Sequence, residues 1–404
     1  MSEALTGLTL HFPDYVRVAG ETLQGHVEIN VSMALQDKVE NVRIKVRGSI
    51  ETRIAETEHR PGAENETHYK TQTIQVLRAD QQIWDHFSSP QGAQILTCPF
   101  QIQLPPNLPP SFHYSHHKGK VVISYALEVV GARHGIFHAN RRIAKVFSVI
   151  PAASAWELNT HVALSQGWNG PWKSIVNNKE MRHGILFGEL SEAKIELVLP
   201  DLPSLPISTG IPFSFHVSTR TKPVHHHDLE GKHGKLFPAP PTSPADIEFR
   251  LTIQGRMSAH SAHEKIDEHF DVKGSLGDKA AVAAIRTTVD EPEWSGGSNT
   301  KDKGVWRRAV HFDGRFTLPY APTFSAETAE WNYVLRLNVD FAGIGNDLEL
   351  EFPIRLNSSS ACPPPIGYQP NFENAYPLSA GPPPMLSLPS AYWTGDDHNY
   401  DDGQ

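Results

Sequence analysis

The sequence predicts an all-β protein made of two tandem β-sandwich domains with a disordered C-terminal tail. Three observations predict it. Apolar residues alternate with polar ones through most of the chain, three sequence blocks recur in the same order in each half, and residues 357–404 have the composition of a segment without a core. At 404 residues the chain is also longer than one hydrophobic core usually serves.

The alternation has the two-residue period of half-buried strands. Val27, Ile29 and Val31 face one way, and His26, Glu28 and Asn30 the other. Val42, Ile44 and Val46 alternate with Arg43, Lys45 and Arg47. The same pattern covers 100–104, 121–129, 195–199, 213–217, 247–253, 333–339 and 348–354. Helical periodicity is confined to two short polar stretches, 262–270 and 278–288.

The repeat is the more specific signal. A glycine leads into an alternating strand at Gly20 to Val27 and again at Gly210 to Val217. A strand is expected to end in glycine at Gly48 and again at Gly255. The third block runs Phe100-x-Ile102-x-Leu104-Pro105, then Pro110-Ser111-Phe112, then Tyr125-x-Leu127-x-Val129. Its counterpart is Phe316-x-Leu318-Pro319, Pro322-Thr323-Phe324 and Tyr333-x-Leu335-x-Leu337. Each Leu-Pro stops a strand, because proline has no amide hydrogen for the next ladder bond. Each Pro-x-Phe turns the chain and drops an aromatic ring inward. Three blocks in order, twice, place one sandwich over 1–175 and a second over 176–356. Residues 151–190, 220–246 and 289–304 are expected loops. Residues 357–404 hold nine prolines, no Lys or Arg and few aliphatics, too little to bury a core.

Composition narrows the function. The net charge is −9, of which the tail contributes −5. A mildly acidic body argues against broad nucleic-acid binding, which wants a basic face. No stretch suits a bilayer span, and Met1-Ser2-Glu3-Ala4 does not open a secretory signal. Cys98 and Cys362 are the only cysteines, whereas a secreted sandwich is more often stapled. A cytoplasmic protein is expected, with the sequons at Asn65 and Asn357 read as chance. The chain has no Gly-x-Ser-x-Gly, P-loop or His-Glu-x-x-His motif, and Glu128, Glu196, Glu349 and Glu351 read as outward-facing strand residues. An enzyme is therefore not expected.

Val18-Ala19-Gly20-Glu21-Thr22-Leu23-Gln24-Gly25, the segment from Pro99-Phe100 to Phe112, and Gly119 to Tyr125 together resemble the arrestin family, most closely the fungal α-arrestins. The resemblance spans roughly 5–356 and includes Gly184 to Gly188 before the Leu199-Pro200 strand end. It implies the arrestin fold, two immunoglobulin-like sandwiches. It also implies an adaptor that binds cytoplasmic segments of membrane transporters or receptors, and so reaches the plasma membrane or endosomes. Such adaptors commonly recruit ubiquitin ligases with WW domains through Pro-Pro-x-Tyr or Leu-Pro-x-Tyr. Here the tail departs from that pattern. Pro364-Pro365-Ile366-Gly367-Tyr368 and Leu388-Pro389-Ser390-Ala391-Tyr392 each carry one residue more, which shifts the tyrosine about 3 Å along a polyproline helix. An endosomal sorting-coat subunit and a β-sandwich carbohydrate-active enzyme are the alternatives.

The candidate binding residues are Arg43, Lys45, Arg47, Tyr368, Tyr392 and Trp393. The first three share one side of a strand and would suit an acidic or phosphorylated segment, against the plainer reading of a solvated sheet face. Asp396, Asp397, Asp401 and Asp402 carry the opposite charge and would dock there in an inhibited state. Tyr392-Trp393 has little core to join and reads as a linear motif. Trp168 and Trp172 would either meet a partner or pack at the domain interface. His113, His116, His117, His225, His226, His227, His233, His260 and His263 are expected to be loop histidines, and no metal or cofactor is expected.

Overall fold

The computed structural model describes residues 2–5, 7–58, 66–88, 94–133, 139–182, 190–226, 236–296 and 303–363. Two antiparallel sheets make the first sandwich. One has the order Ser2–Leu5, Leu8–His11, Thr22–Asn30, Ile95–Gln103. The other has the order Arg141–Phe147, Gly119–Arg133, Val39–Glu58, Glu66–Asp85, with Phe112–His116 also on Gly119–Arg133. The alternation decides which sides face inward: Leu8, Leu10, Val27 and Ile29 are buried from the first sheet, Val42, Ile44, Val46, Leu127 and Val129 from the second.

The second sandwich repeats the scheme. Trp172–Met181, Ser191–Pro200, Ile211–Arg220 and Lys303–Phe316 lie side by side, and three short strands, Val224–His225, Arg286–Val289 and Glu293–Gly296, also bond to Lys303–Phe316. Against them stand Ala262–Asp271, Ile247–Ala259, Ala329–Asp340 and Asp347–Ile354, with Phe324–Ser325 on Ala329–Asp340. Each half also carries a two-residue parallel bridge, Arg17–Val18 with Val149–Ile150 and Leu205–Pro206 with Leu356–Asn357. Among the described residues no helix is long and apolar enough to cross a membrane.

Several elements differ from the sequence expectation. The 262–270 stretch is a strand, paired along its whole length with Ile247–Ala259, because its neighbour supplies a ladder that its polar sequence does not advertise. The 278–288 stretch holds one 3-10 turn, Val282–Ala284, and then a strand. Val31 opens a short helix, Val31–Gln36, where Asn30 accepts a hydrogen bond from the Met33 amide at 3.1 Å and ends the strand. The 151–190 segment contains the helix Ala155–Gln166. Ser154 and Glu157 form its capping box, each side chain taking a hydrogen bond from the other's backbone amide. The expected boundary at 175 falls inside Trp172–Met181, a strand bonded to Ser191–Pro200 of the second half. Asn357 and Ser358, expected in a disordered tail, are held: Asn357 lies in the parallel bridge and Ser358 donates to Pro151 O.

Gly48 and Gly255 do not end strands. Each lies within a long one, directly opposite an aromatic residue: Gly48 pairs with Tyr125 and Gly255 with Trp331. A Cβ on Gly48 would sit 2.6 Å from the Tyr125 ring, and one on Gly255 would sit 2.8 Å from the Trp331 ring. The rings lie over the glycine backbone, filling the space that a side chain would take.

The two halves share one continuous core. Phe112 packs against Phe324 and Trp331, with ring centroids 5.0 and 4.7 Å away, and Tyr114 meets Trp331 at 4.8 Å. Polar contacts border these rings. Tyr114 donates to Glu268 at 2.6 Å, Thr52 to Thr328 at 2.8 Å, and Lys118 to Glu264 at 2.9 Å.

Candidate functional site

The Arg43, Lys45 and Arg47 row lies on the outer side of Val39–Glu58, because Val42, Ile44 and Val46 take the inner side. Strand register then fixes what surrounds it. Arg43 stands between Gln82 and Val130, and Val130 is followed by Arg142. Lys45 stands between Asp80 and Glu128. Arg47 stands between Arg78 and Ala126. The face therefore carries Arg43, Lys45, Arg47, Arg78 and Arg142, with the two carboxylates Asp80 and Glu128 confined to its middle row.

The three expected cations are not equivalent. Arg43 is exposed. Lys45 is half-buried and flanked by carboxylates on both neighbouring strands. Arg47 is turned onto its own sheet: its Nη1 donates to Val46 O at 3.0 Å and Ala79 O at 2.9 Å, and its Nη2 lies 3.8 Å from Asp80. The exposed cationic positions are thus Arg43, Arg78 and Arg142, of which sequence reasoning found only the first. Arg78 and Arg142 come from strands far apart in sequence, so only the pairing brings them to this face.

Tyr368, Tyr392, Trp393, the two shifted proline-tyrosine motifs and the acidic end of the tail lie outside the described residues, as do His227 and His233. Trp168 closes on its own loop, where its Nε1 donates to Pro171 O at 3.1 Å and its ring covers Gly170. Trp172 is exposed on a strand. His226 stacks on Trp306, and His260 approaches Thr71 O at 3.1 Å. Two of the strand carboxylates are engaged: Ser174 donates to Glu196 at 2.5 Å, and Arg336 to Glu351 at 3.2 Å. The hydrogen bonds from Ser174 and Lys194 hold the Glu196 carboxyl below the usual range.

Sequence reasoning also missed a buried ion pair. Arg17 and Glu21 are almost wholly shielded from solvent and meet at 3.1 Å. Burial pushes the Glu21 carboxyl up, against the hydrogen bond from the Val18 amide and the pull of Arg17. The guanidinium also lies 3.8 Å from the Tyr15 ring and 4.2 Å from the Phe12 ring. The Gly20-Glu21 signal was legible, but not the depth at which Glu21 sits.

Two repeated antiparallel sandwiches are thus joined through one core. Residues 7–155 match the family model described as Arrestin (or S-antigen), N-terminal domain. The first sandwich is therefore similar to an arrestin N-terminal domain. The comparison with curated proteins finds no match.

Proposed function

We propose that this chain is an arrestin-like trafficking adaptor that works by binding and not by catalysis. The cationic face of the first sandwich receives an acidic or phosphorylated cytoplasmic segment of a membrane transporter or receptor. The tail recruits a second partner, a ubiquitin ligase with WW domains, through the tyrosines at 368 and 392. Tethering two binding elements in one chain raises local concentration without new chemistry.

The observation that carries this reading is the uneven charge of one sheet face, where Arg43, Arg78 and Arg142 stand on three different strands. Arginine suits planar, bidentate recognition of carboxylate and phosphate. The test is fluorescence anisotropy of the full chain with a labelled phosphopeptide and its unphosphorylated form. Arg43→Glu with Arg78→Glu should weaken phosphopeptide binding about tenfold or more, a loss of about 1.4 kcal/mol, with less effect on the unphosphorylated form. Equal affinity of wild type and double variant would remove this face from the model. In the same chain, Tyr368→Ala with Tyr392→Ala should abolish capture of a WW-domain ligase.

A further inference from the structure

We propose that His11, His26 and Glu28 form a binding site for a divalent transition metal ion of the zinc type. The site lies on the outer face of the other sheet of the first sandwich, away from the cationic row, and does not depend on the adaptor reading.

Backbone register creates the cluster. His11 and His26 are direct partners across Leu8–His11 and Thr22–Asn30, and Glu28 is two residues further along the same outward side. Leu10, Val27 and Ile29 point into the core from these strands, so the three donors are fixed outward together. Their ligand atoms all lie within 4.8 Å of one another. The imidazoles stack at 4.4 Å with 13° between their planes, so one ring must turn about its side-chain bonds for both in-plane lone pairs to meet one ion. A Cβ on Gly25 would sit 2.6 Å from the His11 carbonyl, so glycine permits the close strand approach beside the pair.

One detail points to a shared ion in place of a simple contact. His11 Nε2 is shut off from solvent and makes no hydrogen bond of acceptable geometry, although a Glu28 oxygen lies 3.3 Å away. That spacing is the edge of a tetrahedron whose ligand bonds are about 2.0–2.1 Å long, as around zinc. The donor set decides the class of ion. Two imidazole nitrogens and one carboxylate oxygen suit zinc, cobalt, nickel or copper, whereas magnesium and calcium prefer oxygen alone. Three protein ligands leave the fourth position to water.

The test is calorimetric titration of the full chain with zinc chloride, followed by cobalt chloride read by visible absorption. The expected result is one site per chain that takes zinc, gives cobalt the intense bands of a tetrahedral ion, and ignores magnesium and calcium. His11→Gln and His26→Gln should each weaken zinc binding at least tenfold and remove those bands. Glu28→Gln should weaken it less. His116→Gln with His117→Gln, a change of two neighbouring histidines elsewhere, should leave the site intact. Zinc should also shield His11 and His26 of the unaltered chain from diethylpyrocarbonate, mapped by mass spectrometry, a readout that needs no variant to fold. Zinc affinity unchanged in the His11→Gln, His26→Gln double variant would overturn the assignment, as would no shielding of either ring.

Discussion

The hydroxyl of Tyr125 donates to Pro109 O at 2.7 Å, and that of Tyr333 donates to Ala321 O at 2.8 Å. In both halves the acceptor is the carbonyl immediately before the Pro-x-Phe turn, so one residue per sandwich ties a central strand to the corner that shapes it. Burial pushes the Tyr125 phenol up, which keeps it a donor throughout the working pH range. Tyr125→Phe and Tyr333→Phe should each cost about 1–3 kcal/mol by leaving a carbonyl without its donor. Urea unfolding should show this as a lower midpoint with an unchanged slope. The tyrosines were legible as repeat markers. Their partners were not, because sequence spacing does not say which carbonyl a strand residue reaches. The same limit hid the metal cluster: His11 and His26 are fifteen positions apart in sequence and become neighbours only through register.

At the scale of elements, alternation and the Leu-Pro stops located the long strands well. Ile95–Gln103 ends just before Leu104-Pro105, and Lys303–Phe316 just before Leu318-Pro319. Polar strands such as Ala262–Asp271 escaped because their stability comes from a neighbour and not from their own pattern. The helix Ala155–Gln166 escaped although its signal was present as Ser154-x-x-Glu157, a capping box without an apolar stripe behind it. Glu157 does more than cap. It accepts from Asn357 at 3.0 Å and Ser204 at 3.3 Å, joining the helix to the end of the second sandwich. Burial pushes its carboxyl up, but the hydrogen bonds from Ser154, Asn357 and Ser204 outweigh that and hold it below the ordinary 4.5. A carboxyl depressed in the folded state stabilises fully above its unfolded value, and the contribution is lost as pH falls through the folded value. Amide protection in the helix and in 356–358, measured relative to the intrinsic exchange rate at each pH, should therefore fall below about pH 4.5 in the wild type. In Glu157→Gln that acid step should be missing.

At the scale of the whole molecule, the join between the halves rests on Trp331. It covers Gly255 within its own sheet and meets Phe112, Tyr114 and Phe324. Trp331→Ala should cost about 3–5 kcal/mol, as expected for deleting a fully buried large aromatic. Calorimetry should show a lower melting temperature and a broader transition, because the ring serves the second sandwich and the junction together. A variant that melts as sharply and as late as the wild type would mean that the polar contacts around the junction suffice to hold it.

The contact between Phe112 and Phe324 has a further consequence. The two rings occupy the same place in the two copies of one repeat, so each copy touches its own counterpart. Equivalent positions of the repeat thus meet directly within a single chain. Any change to the shared Pro-x-Phe corner is therefore felt on both sides of the same junction. The repeat that marks two domains in the sequence is also the seam along which they are joined.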